Sequence, residues 1–131
     1  MLAAIANLET GPKYYYHPPY LKQECDKCHD KVVRSSLLQP QPGLCYTCHA
    51  DFKLKFAYQH GPVASGNCSS CHAPHMSENT GLLRLTGQAL CYYCHSKEQV
   101  LTGNAHTGIG DTECTKCHDP HGGTNRYVLK Q

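Results

Sequence analysis

The sequence has very little with which to build a hydrophobic core. Its 131 residues include no tryptophan and only two phenylalanines, whereas glycine (11) and proline (8) together number 19. Long aliphatic runs are also missing, and the best stretches are LLRL and VVRSSLL. A one-domain chain of this composition would struggle to offset its conformational entropy by burying its own side chains. We therefore expect something other than side chains to fill the interior.

The charge pattern lacks the features of nucleic-acid or membrane binding. The formal net charge is only +2, and the lysines and arginines are spread along the chain rather than clustered, which argues against a nucleic-acid partner. No apolar stretch approaches the length needed to span a membrane. The opening stretch MLAAIANLETGPK has no basic residues before its short apolar run, so it does not read as an intact secretory leader.

Cysteine, by contrast, is abundant and strictly ordered. The ten cysteines form five CxxC pairs, and each pair is followed at once by a histidine. The five motifs are Cys25, Cys28 and His29; Cys45, Cys48 and His49; Cys68, Cys71 and His72; Cys91, Cys94 and His95; and Cys114, Cys117 and His118. A disulfide framework would not explain the histidines, a zinc ribbon would leave one pair unmatched, and a thioredoxin-like redox site needs a single pair.

The CxxCH spacing is the one that covalent attachment of c-type haem requires. Two thiols must reach the two vinyl-derived carbons on one edge of the porphyrin, and the next residue must direct its imidazole at the iron. The motif achieves this within one turn of chain. Five motifs that use every cysteine therefore predict five covalently bound haems c, with the motif histidines as iron ligands.

Five further histidines match the five predicted haems one for one. They are His17, His60, His75, His106 and His121. Three of them lie eight residues before the first cysteine of a motif, and two lie three residues after a motif histidine, each preceded by proline. We predict that they are the distal iron ligands, because an imidazole in the sixth position makes an electron-transfer site. A porphyrin cannot pass through a three-residue link, so His75 must serve a different haem from His72, and the two haems must lie close together.

The motifs repeat as doubled units in what we predict to be a single domain spanning 1–131. The units span 17–49, 60–95 and 106–131, as in a modular array. Val32 stands where the second unit has His75, so the first unit has two motifs but one spare histidine. If each unit otherwise keeps its own ligands, a histidine from the tail must reach a haem near the head. It would do so within one molecule or in the next one, and the second case would build a head-to-tail filament.

Regular structure is expected to be sparse. Helical composition follows two motifs, in CYTCHADFKLKFAY and CYYCHSKEQVL. The stretches HGPVASGN, SENTG, TGNAHTGIGD and DPHGGTN are predicted to be loops, and KYYYH and RYVLK are predicted to be short strands. Four tyrosines, at positions 14, 15, 16 and 20, are expected to stack on a haem, line a subunit contact or simply pack.

The stretch HGPVASGNCSSCHAPHMSENTGLLRLTGQALCYYCH, residues 60–95, resembles multihaem cytochromes c with the doubled CxxCH motif. The resemblance repeats more weakly from residues 17 and 106, so it covers nearly the whole chain. It implies a mostly irregular fold with short α-helices and little β structure around a stacked row of haems. It carries haem ligation over to the five motifs and to four spare histidines: His60, His75, His106 and His121. His17 is matched by register alone, because HPPY departs from HGPV, and Val32 breaks the pattern.

The resemblance implies electron transfer without catalysis. Similar proteins include periplasmic pentahaem electron shuttles, such as the donor to nitrite reductase, and subunits of extracellular cytochrome filaments in which histidines cross between subunits. The expected partners are therefore other redox proteins or further copies of the chain. The ligand imbalance and the tyrosine-rich arm favour the filament subunit over the discrete carrier.

A multihaem reductase is the alternative from another functional class. Such an enzyme needs an iron with a vacant position, whereas all five motifs here end in histidine and the spare histidines suffice to cap every iron. Covalent haem is attached in an exported compartment. We therefore expect a periplasmic or extracellular protein whose leader has been cut off or lies outside this numbering.

Overall fold

Short elements separated by turns make up the chain in the computed structural model, which describes residues 13–130. The expectation about the N-terminal apolar stretch falls largely outside these residues. The described helices are α1 Pro18–Leu21, α2 Gly43–Tyr46, α3 Phe52–Lys55, α4 Gly61–Ala64, α5 Gly87–Tyr92 and α6 Lys97–Thr102. The described strands are β1 Tyr15–Tyr16, β2 Tyr58–Gln59, β3 Met76–Ser77 and β4 Gly122–Gly123. Turns of 3-10 helix lie at Cys25–Lys27, Cys68–Ser70, Thr80–Leu82, Asn104–His106 and Cys114–Lys116.

The chain divides into two compact units. The first consists of the described residues up to Cys48 together with Asn67–Arg84. Within it, β1 pairs with β3 in antiparallel register, and Tyr16 lies opposite Met76. The second consists of His49–Gly66 and the described residues from Leu85 onward, and in it β2 pairs with β4. Each unit thus contains one two-stranded sheet whose strands come from distant parts of the sequence.

Two of the spare histidines begin short helices. His17 and His60 are the N-cap residues of α1 and α4, with extended backbone at φ −68°, ψ 128° and φ −61°, ψ 140°. Proline occupies an early position in both helices, where its missing N–H leaves no bond unmade and its fixed φ suits the helix. The prediction of a loop at HGPVASGN was therefore wrong over α4, because helix-breaking residues at a first turn start a helix instead of preventing one.

The strands differ in part from those that the sequence predicts. KYYYH contains β1, as expected. RYVLK forms no strand and contributes only an isolated bridge between His118 and Leu129. The partner of β2 is instead Gly122–Gly123, inside a predicted loop. A Cβ atom at Gly122 would lie 2.5 Å from the carbonyl oxygen of Tyr58, so only glycine lets the two strands approach this closely.

The two helices predicted to follow the even-numbered motifs are present as α3 and α6. Each has an N-cap side chain that accepts a hydrogen bond from the first turn: Asp51 from the N–H of Lys53, and Ser96 from the N–H of Gln99. Such caps satisfy backbone donors that a short helix leaves free.

No hydrophobic side chain is buried anywhere in residues 13–130. Large apolar side chains lie exposed instead, including Val32 and Leu54, each at 89% relative exposure. The fold is therefore irregular, with short helices and little sheet, as expected, and its side chains form no core of their own. None of the described helices has the length and apolar character needed to cross a lipid bilayer.

Candidate metal centres

Each CxxCH motif is wound into a single turn of chain. In the odd-numbered motifs the first cysteine opens a turn of 3-10 helix, whereas in the even-numbered motifs it lies near the end of α2 or α5. In four motifs the histidine N–H donates to the carbonyl oxygen of the first cysteine, four residues earlier. The N···O distances are 2.9 Å for His29 and 3.0 Å for His72, His95 and His118. The attachment thiols and the imidazole therefore come from one compact turn.

Three motif histidines face a spare histidine at nearly the same distance. The ring centroids are 6.1 Å apart for His29 and His75, 6.0 Å for His60 and His95, and 6.2 Å for His106 and His118. These separations are longer than the 4.4 and 4.5 Å of two ring stacks that histidine makes in the described residues, Phe52–His121 and Tyr20–His75. A gap of similar width is thus kept open between the two rings of each pair.

The width of that gap fits one metal ion held between two imidazoles. A metal–nitrogen bond is about 2.0 Å and the nitrogen lies roughly 1.1 Å from its ring centre, so two ligating rings have centroids about 6.2 Å apart. Bis-imidazole ligation of an iron porphyrin meets this requirement. A bare metal ion fits less well, because no group of three or more His, Cys, Asp or Glu side chains across residues 13–130 is placed to hold one.

Main-chain contacts tie two of the three upstream histidines, His17 and His60, to a proline–histidine pair far along the chain. The His17 N–H donates to the carbonyl oxygen of His75 at 2.9 Å, and the His17 Nδ1 lies 2.9 Å from the carbonyl oxygen of Pro74. His60 makes the same two contacts to His121 and Pro120, at 3.1 and 2.8 Å. We call each of these arrangements a histidine clasp. Both clasps continue the strand pairs β1–β3 and β2–β4.

The clasps join successive doubled units of the sequence. In both of them the upstream histidine of one unit contacts the proline–histidine pair of the next unit. The first unit has Val32 in place of such a histidine, and His75 of the second unit lies opposite its motif histidine His29. His75 is therefore placed nearer to a motif histidine of the first unit than the count of histidines per unit suggests.

Aromatic rings support two of the spare histidines. Tyr20 stacks on His75 with ring centroids 4.5 Å apart and planes 16° from parallel. Phe52 stacks on His121 at 4.4 Å and 12°. Such contacts fix the plane of an imidazole as well as its position. Of the four N-terminal tyrosines, Tyr20 therefore has a defined contact with a candidate ligand.

Cysteines of different motifs lie close together in the first of the two compact units of the fold. All ten cysteines are free of disulfides. Burial, together with smaller contributions from the neighbouring Cys68 and Cys28 thiols, raises the pKa of the Cys45 thiol to about 11. These three cysteines belong to three successive motifs, so their attachment points lie close together.

A family model for the doubled CXXCH motif matches residues 17–54, 60–100 and 106–131, well over half of the chain. The chain belongs to the doubled CXXCH motif family. A comparison with curated proteins finds no match. The three segments of the doubled CXXCH family model begin at the upstream histidines His17, His60 and His106.

Six of the ten predicted ligands of this doubled CXXCH protein are thus brought together in three pairs. The roles of all ten histidines as iron ligands stay predictions, as does the role of the cysteines in attachment, and His17, His49, His72 and His121 are not placed in such a pair. The sequence did not reveal the positioning roles of Pro74, Pro120, Tyr20 and Phe52. The repeated proline before a histidine was a visible signal for the first two, but the aromatic residues occupy unrelated sequence positions.

Proposed function

We propose that this protein is a non-catalytic electron carrier that holds five haems c, each ligated by two histidines. The doubled CXXCH motifs indicate a multihaem cytochrome c with covalently bound haem, and they are typical of electron transfer. The observation that carries the finer proposal is the set of three histidine pairs with centroids 6.0 to 6.2 Å apart. Haem supplies a one-electron iron couple, and the chain's part is to bind, orient and tune it.

The proposal excludes a catalytic role because both axial positions are occupied by imidazole. A multihaem reductase needs a position at which substrate reaches the iron. The pairs His29–His75, His60–His95 and His106–His118 leave no such position between them, and the remaining four histidines suffice for two further irons. Support for rapid electron movement comes from Cys28, Cys45 and Cys68, which place three successive attachment points close together.

We further propose that the protein works as a discrete exported carrier with other redox proteins as its partners. The ligand imbalance was one of two grounds for a filament in which a histidine crosses between subunits. The sequence left open whether the missing ligand comes from the same molecule or the next one, and the position of His75 opposite His29 supports a ligand from the same chain. The tyrosine-rich arm remains a ground for the filament, and Tyr20 of that arm contacts His75 of the same chain.

Three measurements test the haem proposal. Intact mass combined with a haem assay should give five porphyrins per chain, and the optical spectrum should show low-spin iron throughout. The reduced protein should bind no carbon monoxide. Fewer than five haems, bound zinc, or a substantial high-spin fraction would contradict the proposal.

Size-exclusion chromatography and electron microscopy of the haem-loaded protein test the carrier proposal separately. Particles of monomer mass are expected. Long head-to-tail polymers would overturn the carrier in favour of the filament, while leaving the haem count and ligation intact. His121→Ala then gives a second readout: it should perturb haem spectra without changing particle size, whereas a histidine that crosses between subunits would be needed for assembly.

A further inference from the structure

The three motif histidines that lead into loops differ in the contact made by Nδ1. The Nδ1 of His72 lies 2.6 Å from the carbonyl oxygen of Gly81, and that of His118 lies 2.6 Å from the carbonyl oxygen of Tyr127. The Nδ1 of His29 is buried and has no hydrogen-bond partner among the described residues. When Nε2 binds a metal, Nδ1 carries the proton and donates. His29 is therefore the one member of this set that has no acceptor.

A shorter loop accounts for the missing acceptor. The bridge partner of His29 is Leu37, eight residues later, whereas His72 and His118 bridge to Leu83 and Leu129, each eleven residues later. In the short loop the Asp30 side chain accepts two backbone N–H bonds at 2.8 Å instead, and these lower the pKa of its carboxyl group.

The acceptor carbonyls of the longer loops are set by an uncommon backbone conformation. In both loops the residue that follows the accepting carbonyl has positive φ: Leu82 at 57° and Val128 at 47°. A β-branched residue such as valine is strained there, and strain of this kind is kept where it positions a functional group. No residue from 30 to 37 has positive φ.

The partner of His29 adds no such bond. His75 makes a ring stack with Tyr20, and no acceptor for its Nδ1 lies among the described residues. In the other two pairs one imidazole does have an acceptor: His60 at the carbonyl of Pro120, and His118 at the carbonyl of Tyr127. The pair His29–His75 therefore has no Nδ1 acceptor among the described residues, and the exposed His75 meets only solvent there, whereas each of the other two pairs has a backbone carbonyl acceptor.

An Nδ1–H···O bond makes an axial imidazole more basic, and a more basic ligand favours the oxidised iron. The lysines beside the first motif are paired: Lys27 with Glu24 at 2.7 Å, and Lys31 with Asp26 at 3.6 Å. The carboxylate of Asp30, directly after His29, has a counterpart in Asp119, directly after His118, so this charge does not distinguish the first motif from the fifth. We propose that the haem attached at Cys25 and Cys28 has a higher reduction potential than those at the fourth and fifth motifs. It is then the first of the three to be reduced. This inference rests on the proposed haem ligation.

The angle between the two imidazole planes should also distinguish this haem from the others by spectroscopy. The imidazole planes of His29 and His75 are 48° apart, whereas those of His60–His95 and His106–His118 are 13° and 29° apart. The angle between axial ring planes governs the splitting of the iron d orbitals. In the EPR spectrum of the oxidised protein, the His29–His75 haem should therefore have a larger maximum g value than the other two.

EPR-monitored redox titration of the haem-loaded protein tests the proposal. Tyr20→Val assigns the signal: it removes the ring stacked on His75 and installs the residue found at the equivalent position, Val63, so only the signal of that haem should shift. In the unmodified protein this signal should disappear at a higher potential than the signals of the haems at the fourth and fifth motifs. Its disappearance at or below their potentials would overturn the proposal.

A loop exchange tests the cause. Residues 30–36 are replaced by residues 73–82, with valine retained at the position of His75, so that the acceptor loop is rebuilt after His29. The potential of the assigned haem should shift downward while the others stay in place. An unchanged potential would refute the hydrogen-bond argument. High-spin or missing haem in the unmodified protein would instead refute the proposed ligation, so the two failures are distinguishable.

Discussion

Replacing His75 with alanine should leave one of the five haem irons with an open axial position. The imidazole of His75 lies 6.1 Å from that of His29, so its removal leaves a single axial ligand on the haem of the first motif. The clasp to His17 should survive, because it uses the backbone carbonyl of residue 75. The lost stack on Tyr20 should lower the free energy of unfolding by about 0.5 to 1.5 kcal/mol. We therefore expect a folded protein with one altered haem.

Carbon monoxide is the assay for that altered haem. Reduced His75→Ala should bind about one carbon monoxide per five haems, because only an iron with an open sixth position takes the ligand. His106→Ala should give the same stoichiometry at the fifth motif. Met76→Ala is the matched control: it changes the neighbouring residue in β3 and should bind none. A folded His75→Ala protein with all five haems that binds no carbon monoxide would refute the assignment of His75.

The remaining predictions concern stability, measured by guanidinium denaturation of the haem-loaded protein. Gly122→Ala should destabilise by 2 kcal/mol or more, about the cost of overpacking, because its Cβ would lie 2.5 Å from a carbonyl oxygen of the opposite strand; Gly61→Ala, with nothing within 4 Å, should be tolerated. Gln23→Gly should stabilise by about 0.5 kcal/mol, since φ there is 59°, whereas Gly66→Ala at φ 79° should destabilise. Asp51→Ala should cost about 1 kcal/mol by removing the cap of α3. Equal stability of the Gly122→Ala and Gly61→Ala proteins, or of the Gln23→Gly and Gly66→Ala proteins, would contradict the geometry.

The sequence predicted the motifs and the candidate ligands but not how the ligands pair. CxxCH is a local pattern, and one turn of chain suffices to form it. The pairing of His29 with His75 depends instead on a clasp between residues almost 60 positions apart. One strand of the equivalent clasp is Gly122–Gly123, whose composition predicts a loop. Close approach of two backbones, rather than β propensity, makes it a strand.

Local signals were also misleading where tertiary contacts decide the conformation. The stretch HGPV contains glycine and proline, yet it starts helix α4 because its histidine is fixed by the clasp and proline suits a first turn. RYVLK has strand-like composition, but Val128 adopts a left-handed φ of 47° that presents the preceding carbonyl to His118. The requirement for that carbonyl cannot be read from the residues themselves.

The position of His75, in the second doubled unit, opposite His29, in the first, has a consequence for the order of haem attachment and coordination. His29 and His75 are 46 positions apart (75 minus 29), so the partner of the first motif histidine emerges only after three motifs have been synthesised. A chain delivered N-terminus first would present the first motif to the attachment machinery with one axial ligand and no strand to close over it. Thioether bond formation on early motifs should therefore precede their final coordination, and arrested chains ending before residue 75 should accumulate a five-coordinate species.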